Sequence, residues 1–178
     1  MSFVCKIKSK YIVRSILAKI IKLSPKAIKW LHNYTNLFDT RNVKLPDEIK
    51  IELKKYCLKK PTKLYRVLTS KSRGVLKHNN YKTDNFTSWS KSKTFIDDWG
   101  PIAARRSGDL DYKILTAIFN PNDTIVDMDQ LSDIVEPLEA EVLVEPKQYR
   151  VNVTEVFLKQ TEKTKPDGSK YYTYEKTK

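Results

Sequence analysis

The sequence predicts an α+β protein, with amino-terminal helices followed by an antiparallel-rich β core. Two observations predict this. Apolar residues recur at helical spacing through the first third of the chain, and from Lys63 onward short β-branched and aromatic runs alternate with turn residues. A third observation sets the scale: a chain of 178 residues can bury a core without needing disulfides or a metal. Its 40% hydrophobic and 31% charged residues belong to a globular chain and exclude wholesale disorder.

The elements follow in order. Within 8–23, Ile12, Val13, Ile16, Leu17 and Ile20 make an apolar stripe, and Lys10, Arg14, Lys19 and Lys22 fill much of the other face. Such a helix either packs on the main domain or lies on an anionic membrane surface. Ser24 reads as an N-cap with Pro25 at the first helical position, opening a helix through Trp30 and Leu31. Pro46-Asp47-Glu48 opens another, with acids in its first turn and Ile49, Leu53, Tyr56 and Cys57 on one face, ending before Pro61. Strands are then expected at Lys63–Leu68, Phe86–Ser90, Tyr112–Phe119, Thr124–Met128, Glu139–Val144, Tyr149–Leu158 and Lys170–Tyr174. Lys91–Trp99 looks helical. Pro166-Asp167-Gly168 turns the last two strands into a hairpin, after which 175–178 are expected to fray.

Composition removes several function classes. Four scattered glycines form neither a G-x-G-x-x-G loop nor a Walker A loop. Two His and two Cys leave little for a metal site or a Cys–His nucleophile. Cys5 and Cys57, without an export signal, suit a reducing compartment. No apolar run is long enough to span a membrane, so a cytoplasmic protein is expected. The net charge of +13 is uneven: 1–63 hold 16 basic and 4 acidic residues, and the rest hold 18 and 17. A basic 1–44 helical region is thus expected ahead of a 45–178 domain. Such a basic face attracts nucleic acid, ribosomes or anionic membrane, or is simply a solvated lysine surface.

Three motifs carry chemistry. Arg66 sits in a strand, Ser88-Trp89-Ser90 follows Phe86, and Glu139-Ala140-Glu141 opens a strand. Each is common alone. Together they lie on separate strands, with Arg66 22 residues before Ser88 and Ser88 53 before Glu141, so a sheet can bring them together. On Leu64-Tyr65-Arg66, Phe86-x-Ser88-x-Ser90, and Glu139-x-Glu141-Val-Leu followed by Pro146 and Tyr149-Arg150-Val151, the chain resembles the mono-ADP-ribosyltransferases of the Arg–Ser–Glu type. Its look is closest to the small phage-encoded enzymes, and the likeness covers about 45–175. Trp89 stands where that family often has Thr, and Val67 where a Gly commonly follows the Arg.

The resemblance implies a 45–178 catalytic domain with a central NAD cleft, and NAD⁺ as co-substrate. Arg66 would then hold the pyrophosphate, which a planar, permanent cation suits. Glu141 would hold the ribose 2′-hydroxyl and stabilise the oxocarbenium charge that grows as nicotinamide leaves. Ser88 would fix Glu141, and Ser90 would support the same strand and the cofactor. Glu139 would orient an acceptor arginine and help remove its proton. Strand alternation places Glu139 and Glu141 on one face, and two like charges so close raise one pKa.

Around these motifs, Asp127–Glu145 contain seven acids and no base, an acidic rim for a cationic acceptor. The resemblance places acceptor recognition at about Gln130–Leu138 and a cofactor cover at Lys91–Gly108. There Phe95 or Trp99 would stack on nicotinamide, although their helical spacing suits a core role. The expected activity is transfer of ADP-ribose to arginine of an intracellular protein. The basic region would dock on ribosome- or RNA-polymerase-associated targets and contact nucleic acid. The alternatives are a non-enzymatic nucleic-acid-binding module, or the same fold hydrolysing NAD⁺ or modifying nucleic acid.

Overall fold

A computed structural model describes residues 22–36, 43–72, 74–135 and 140–177. The apolar stripe Ile12, Val13, Ile16, Leu17 and Ile20, together with Cys5 and Glu139, lies outside the described residues. The chain is α+β, built on a seven-stranded sheet with few helices. Its helices are α1 (Pro25–Thr35), α2 (Asp47–Leu53) and α3 (Lys93–Ser107). The strands are β1 (Thr62–Leu68), β2 (Val75–Lys77), β3 (Asn80–Lys82), β4 (Thr87–Ser90), β5 (Asp111–Phe119), β6 (Thr124–Asp127), β7 (Glu141–Val144), β8 (Gln148–Arg150), β9 (Asn152–Thr164) and β10 (Lys170–Lys176).

The Ser24 hydroxyl accepts from the Ala27 N–H at 3.2 Å, and Pro25 needs no partner for the N–H it lacks. Ser24 also donates its backbone N–H and its hydroxyl to Glu52, each at 2.7 Å, which ties the start of α1 to α2. Both short helices bury one stripe: Ala27, Leu31 and Tyr34 from α1, Ile49 and Leu53 from α2. After Leu53 the chain tightens into a 3-10 turn, Lys54–Tyr56, so Tyr56 and Cys57 leave the predicted helical face only partly buried.

The large sheet runs β10-β9-β5-β1-β4-β7-β6, with every pair antiparallel. A small sheet, β2-β3-β8, covers one face, and Tyr81 and Tyr149 from it pack with Leu64, Trp89, Leu115 and Phe119. On the other face α1 and α2 cover β6 and β7, while α3 covers β1, β5 and β9. The β2–β3 hairpin escapes the sequence reading because its strands are only three residues long. It turns on His78 and Asn79, both left-handed at φ 48° and 61°, as a two-residue hairpin turn requires. The predicted 149–158 strand divides into β8 and β9 at Val151, whose N–H donates to Asn79.

The junction of β1 and β4 positions the candidate site. Seven ladder pairs join β1 to β5, but β1 meets β4 through the single pair Tyr65↔Ser90. The regular ladder between these strands therefore ends at that pair. The end of β10 is held rather than frayed: the Thr177 N–H donates to Phe157 and the Lys176 ammonium to the Asp97 carbonyl. Lys178 lies outside the described residues.

Candidate active site

Strand alternation sorts the Ser-Trp-Ser motif. Trp89 points to the buried side, 1% exposed, with its ring edge-on to Phe119 at 4.7 Å. Ser88 and Ser90 face the helices. On β7, Glu141 lies opposite Ser90 in the ladder and shares its face. The tryptophan thus fills the core between the sheets while the polar motif stays on the other side. Val67, where the resembled family commonly has Gly, is buried against Ile96 and its neighbours under α3.

Arg66, Ser88 and Glu141 come together. Arg66 Nη1 donates to the Ser88 carbonyl, an acceptor beyond the last β1–β4 pair. The Ser88 hydroxyl and the Arg66 charge both act on the Glu141 carboxyl, and each favours its charged form. Ser90 is 4% exposed; its hydroxyl accepts from the Ser92 N–H at 3.0 Å and shapes the turn that opens α3. Arg66 Nε is buried without a hydrogen-bond partner among the described residues. A buried guanidinium N–H left so is a polar group that the surrounding fold does not satisfy.

A fourth residue joins them that the sequence reading did not find. The Tyr34 phenol on α1 donates to Glu141 Oε1 at 2.5 Å across 107 residues of chain. Its ring stacks on Trp30 at 5.2 Å, and Phe86 leans on both. The Trp30–Tyr34 spacing of one helical turn is legible in the sequence, but nothing local to α1 names its distant partner.

Burial pushes the Glu141 carboxyl above the ordinary glutamate range, while the bonds from Ser88 and Tyr34 and the Arg66 charge pull the other way. Burial also pushes the Tyr34 phenol well up, helped by the Glu141 charge, so Tyr34 stays protonated and donates. The arrangement is a carboxylate in a poorly hydrated place with fixed donors on two sides. It can accept a further hydroxyl and stabilise a cation beside it.

Other expectations change around this centre. The strand begins at Glu141, and Ala140 is left-handed at φ 47°, so alternation does not run back across it to Glu139. The expectation that the two acids share one strand face loses its premise. Among the described residues, three acids of the run are held in ion pairs. Asp127 and Asp129 both pair with Lys91, and Glu145 lies between Lys50 and Lys54 at 2.6 and 2.7 Å. Part of the expected recognition stretch, 136–138, lies outside the described residues. Phe95 and Trp99 stack on each other at 6.3 Å, partly buried against the α3 core, in line with their spacing.

Among the described residues no group of His, Cys, Asp and Glu is arranged to hold a metal, and no helix is long and apolar enough to cross a membrane. No family model, no curated protein and no solved structure matches the chain.

Proposed function

We propose that the chain is an NAD⁺-dependent mono-ADP-ribosyltransferase acting on arginine of a protein. One observation carries the reading: Arg66, Ser88 and Glu141, far apart in sequence, meet where the β1–β4 ladder ends. In this reading the Arg66 guanidinium binds the NAD⁺ pyrophosphate. Ser88 orients Glu141, and Glu141 accepts the ribose 2′-hydroxyl.

The bond between the ribose carbon and nicotinamide then breaks. Nicotinamide leaves neutral, taking the electron pair. The positive charge left on the sugar is stabilised by the carboxylate, whose pull is strongest where water is scarce. A guanidino nitrogen of the acceptor bonds to that carbon and loses its proton, a step the resemblance gives to Glu139. A guanidinium, whose pKa lies far above neutral pH, needs such help. The donor side of the reading is thus supported by geometry, and the choice of arginine by the motif alone.

Exposed Lys22, Lys26, Lys29, Lys44, Lys55, Lys59, Lys60 and Lys63 favour docking on a polyanion, as on ribosome- or polymerase-associated targets. They equally favour the second reading, a nucleic-acid-binding module without catalysis. NAD⁺ cleavage separates the two. Glu141→Gln is expected to lower nicotinamide release from labelled NAD⁺ by at least ~100-fold, about 2.7 kcal/mol of barrier. Mass spectrometry of co-expressed proteins is expected to find ADP-ribose on arginine. Equal nicotinamide release by the variant removes Glu141 from the chemistry, and none by either chain favours the binding module.

A further inference from the structure

We propose that Tyr34 is a positioning residue for Glu141: its phenol clamps the carboxylate from the helix side while Ser88 holds it from the strand side. The role rests on the transferase reading above, but the clamp itself is a property of the fold.

The contact is a hydrogen bond of 2.5 Å between groups 107 residues apart, on α1 and β7. The ring that carries the phenol has little freedom. It stacks on Trp30 nearly parallel, at 8°, and Phe86 closes the other approach at 6.0 Å. Trp30 is itself held by its indole N–H on the Lys44 carbonyl at 2.9 Å. Ala27 and Leu31, on the same stripe as Tyr34, are fully buried, and Ser24 pins the helix start to Glu52. The phenol oxygen is therefore placed by a rigid element, as a positioning group needs to be.

The clamp leaves acceptor capacity on the carboxylate. A carboxylate offers about four lone-pair positions. Tyr34 uses one, so acceptor capacity is left for Ser88 and for a sugar hydroxyl. A tyrosine serving packing alone would need only some acceptor for its hydroxyl. Here the acceptor is the acid that the transferase reading requires to face the ribose in its ionised form. Donation to the charged form favours that form, so the clamp opposes the penalty that burial imposes on it.

Tyr34→Phe keeps the ring and its stack and removes the donor. The acid limb of the pH profile of nicotinamide release is expected to move up by about one pH unit. On that limb kcat falls roughly tenfold, while KM for NAD⁺ stays within about threefold. Placing 3-fluorotyrosine at 34 gives a more acidic phenol and a stronger donor, and moves the limb down. A packing role alone would move neither. Titration of the Glu141 carboxyl carbon by ¹³C NMR, assigned with Glu141→Gln, reads the same two shifts without turnover. The fluorinated chain retains the phenol and carries the test should Tyr34→Phe not fold. Unchanged limbs and an unchanged Glu141 titration overturn the clamp. Shifted titration in a chain that cleaves no NAD⁺ upholds the clamp and overturns the transferase reading.

Discussion

Glu141 and Glu145 stand four residues apart and respond to pH in opposite senses. Burial holds the Glu141 carboxyl above its ordinary value, so the folded chain binds a proton that the unfolded chain has already released. Between the ordinary carboxylate range and that raised value, stability falls as pH rises. Glu145 loses solvent too, but the bonds and charges of Lys50 and Lys54 outweigh this and hold it below its ordinary value. Its contribution is present above the unfolded range and is lost as pH falls through the folded value. A glutamine in place of Glu141 keeps one oxygen to accept from Tyr34 and carries no charge to desolvate. Glu141→Gln is therefore expected to raise the melting temperature by about 3 °C at neutral pH. The gain should shrink toward zero near pH 4, where wild type binds the same proton. Thermal melts from pH 4 to 8 check this, and a variant less stable at pH 7 would contradict it. The residue with most to do in the proposed chemistry thus costs the fold stability.

Helix α3 tolerates an interior proline because its neighbours make up for it. Pro101 has no N–H for the Asp97 carbonyl one turn earlier, and the Lys176 ammonium donates there instead, at 2.7 Å. The last strand therefore completes the helix it packs on, which is why the chain end is held. Beside the proline, Gly100 lets the Tyr112 ring approach the helix backbone: a Cβ there would lie 2.3 Å from a ring carbon. Tyr112 is 1% exposed and cannot move aside without opening the α3 core. Gly100→Ala is expected to destabilise the fold by about 2 kcal/mol in urea unfolding, even though alanine is the better helix former. A stabilised variant would show that the ring yields.

At the scale of the molecule, α1 belongs to the same core as the strands that carry the candidate site. Its buried stripe packs with Ile125, Met128, Leu131 and Leu143, and Tyr34 reaches Glu141 from it. A chain begun at Leu45 is therefore expected to lose both cooperative unfolding and NAD⁺ cleavage, read by denaturant melts and nicotinamide release. Intact cooperative unfolding in that chain would show that α1 is an appendage. Much of this organisation was legible in the residues. Ser24-Pro25 marked a helix start, Pro166-Asp167-Gly168 a hairpin, and period-two runs most of the large sheet, because caps, turns and alternation are local physics. Local signals also marked Arg66, Ser88 and Glu141 as polar groups on separate strands. The sequence by itself thus determined an α+β chain with these three groups and a basic beginning. Only the tertiary structure decided that the β1–β4 ladder ends at one pair, that Lys91, Lys50 and Lys54 neutralise acids in an otherwise acidic run, and that Tyr34 closes on Glu141. Each of those contacts depends on how separate elements pack, and no pattern within a single element carries that information.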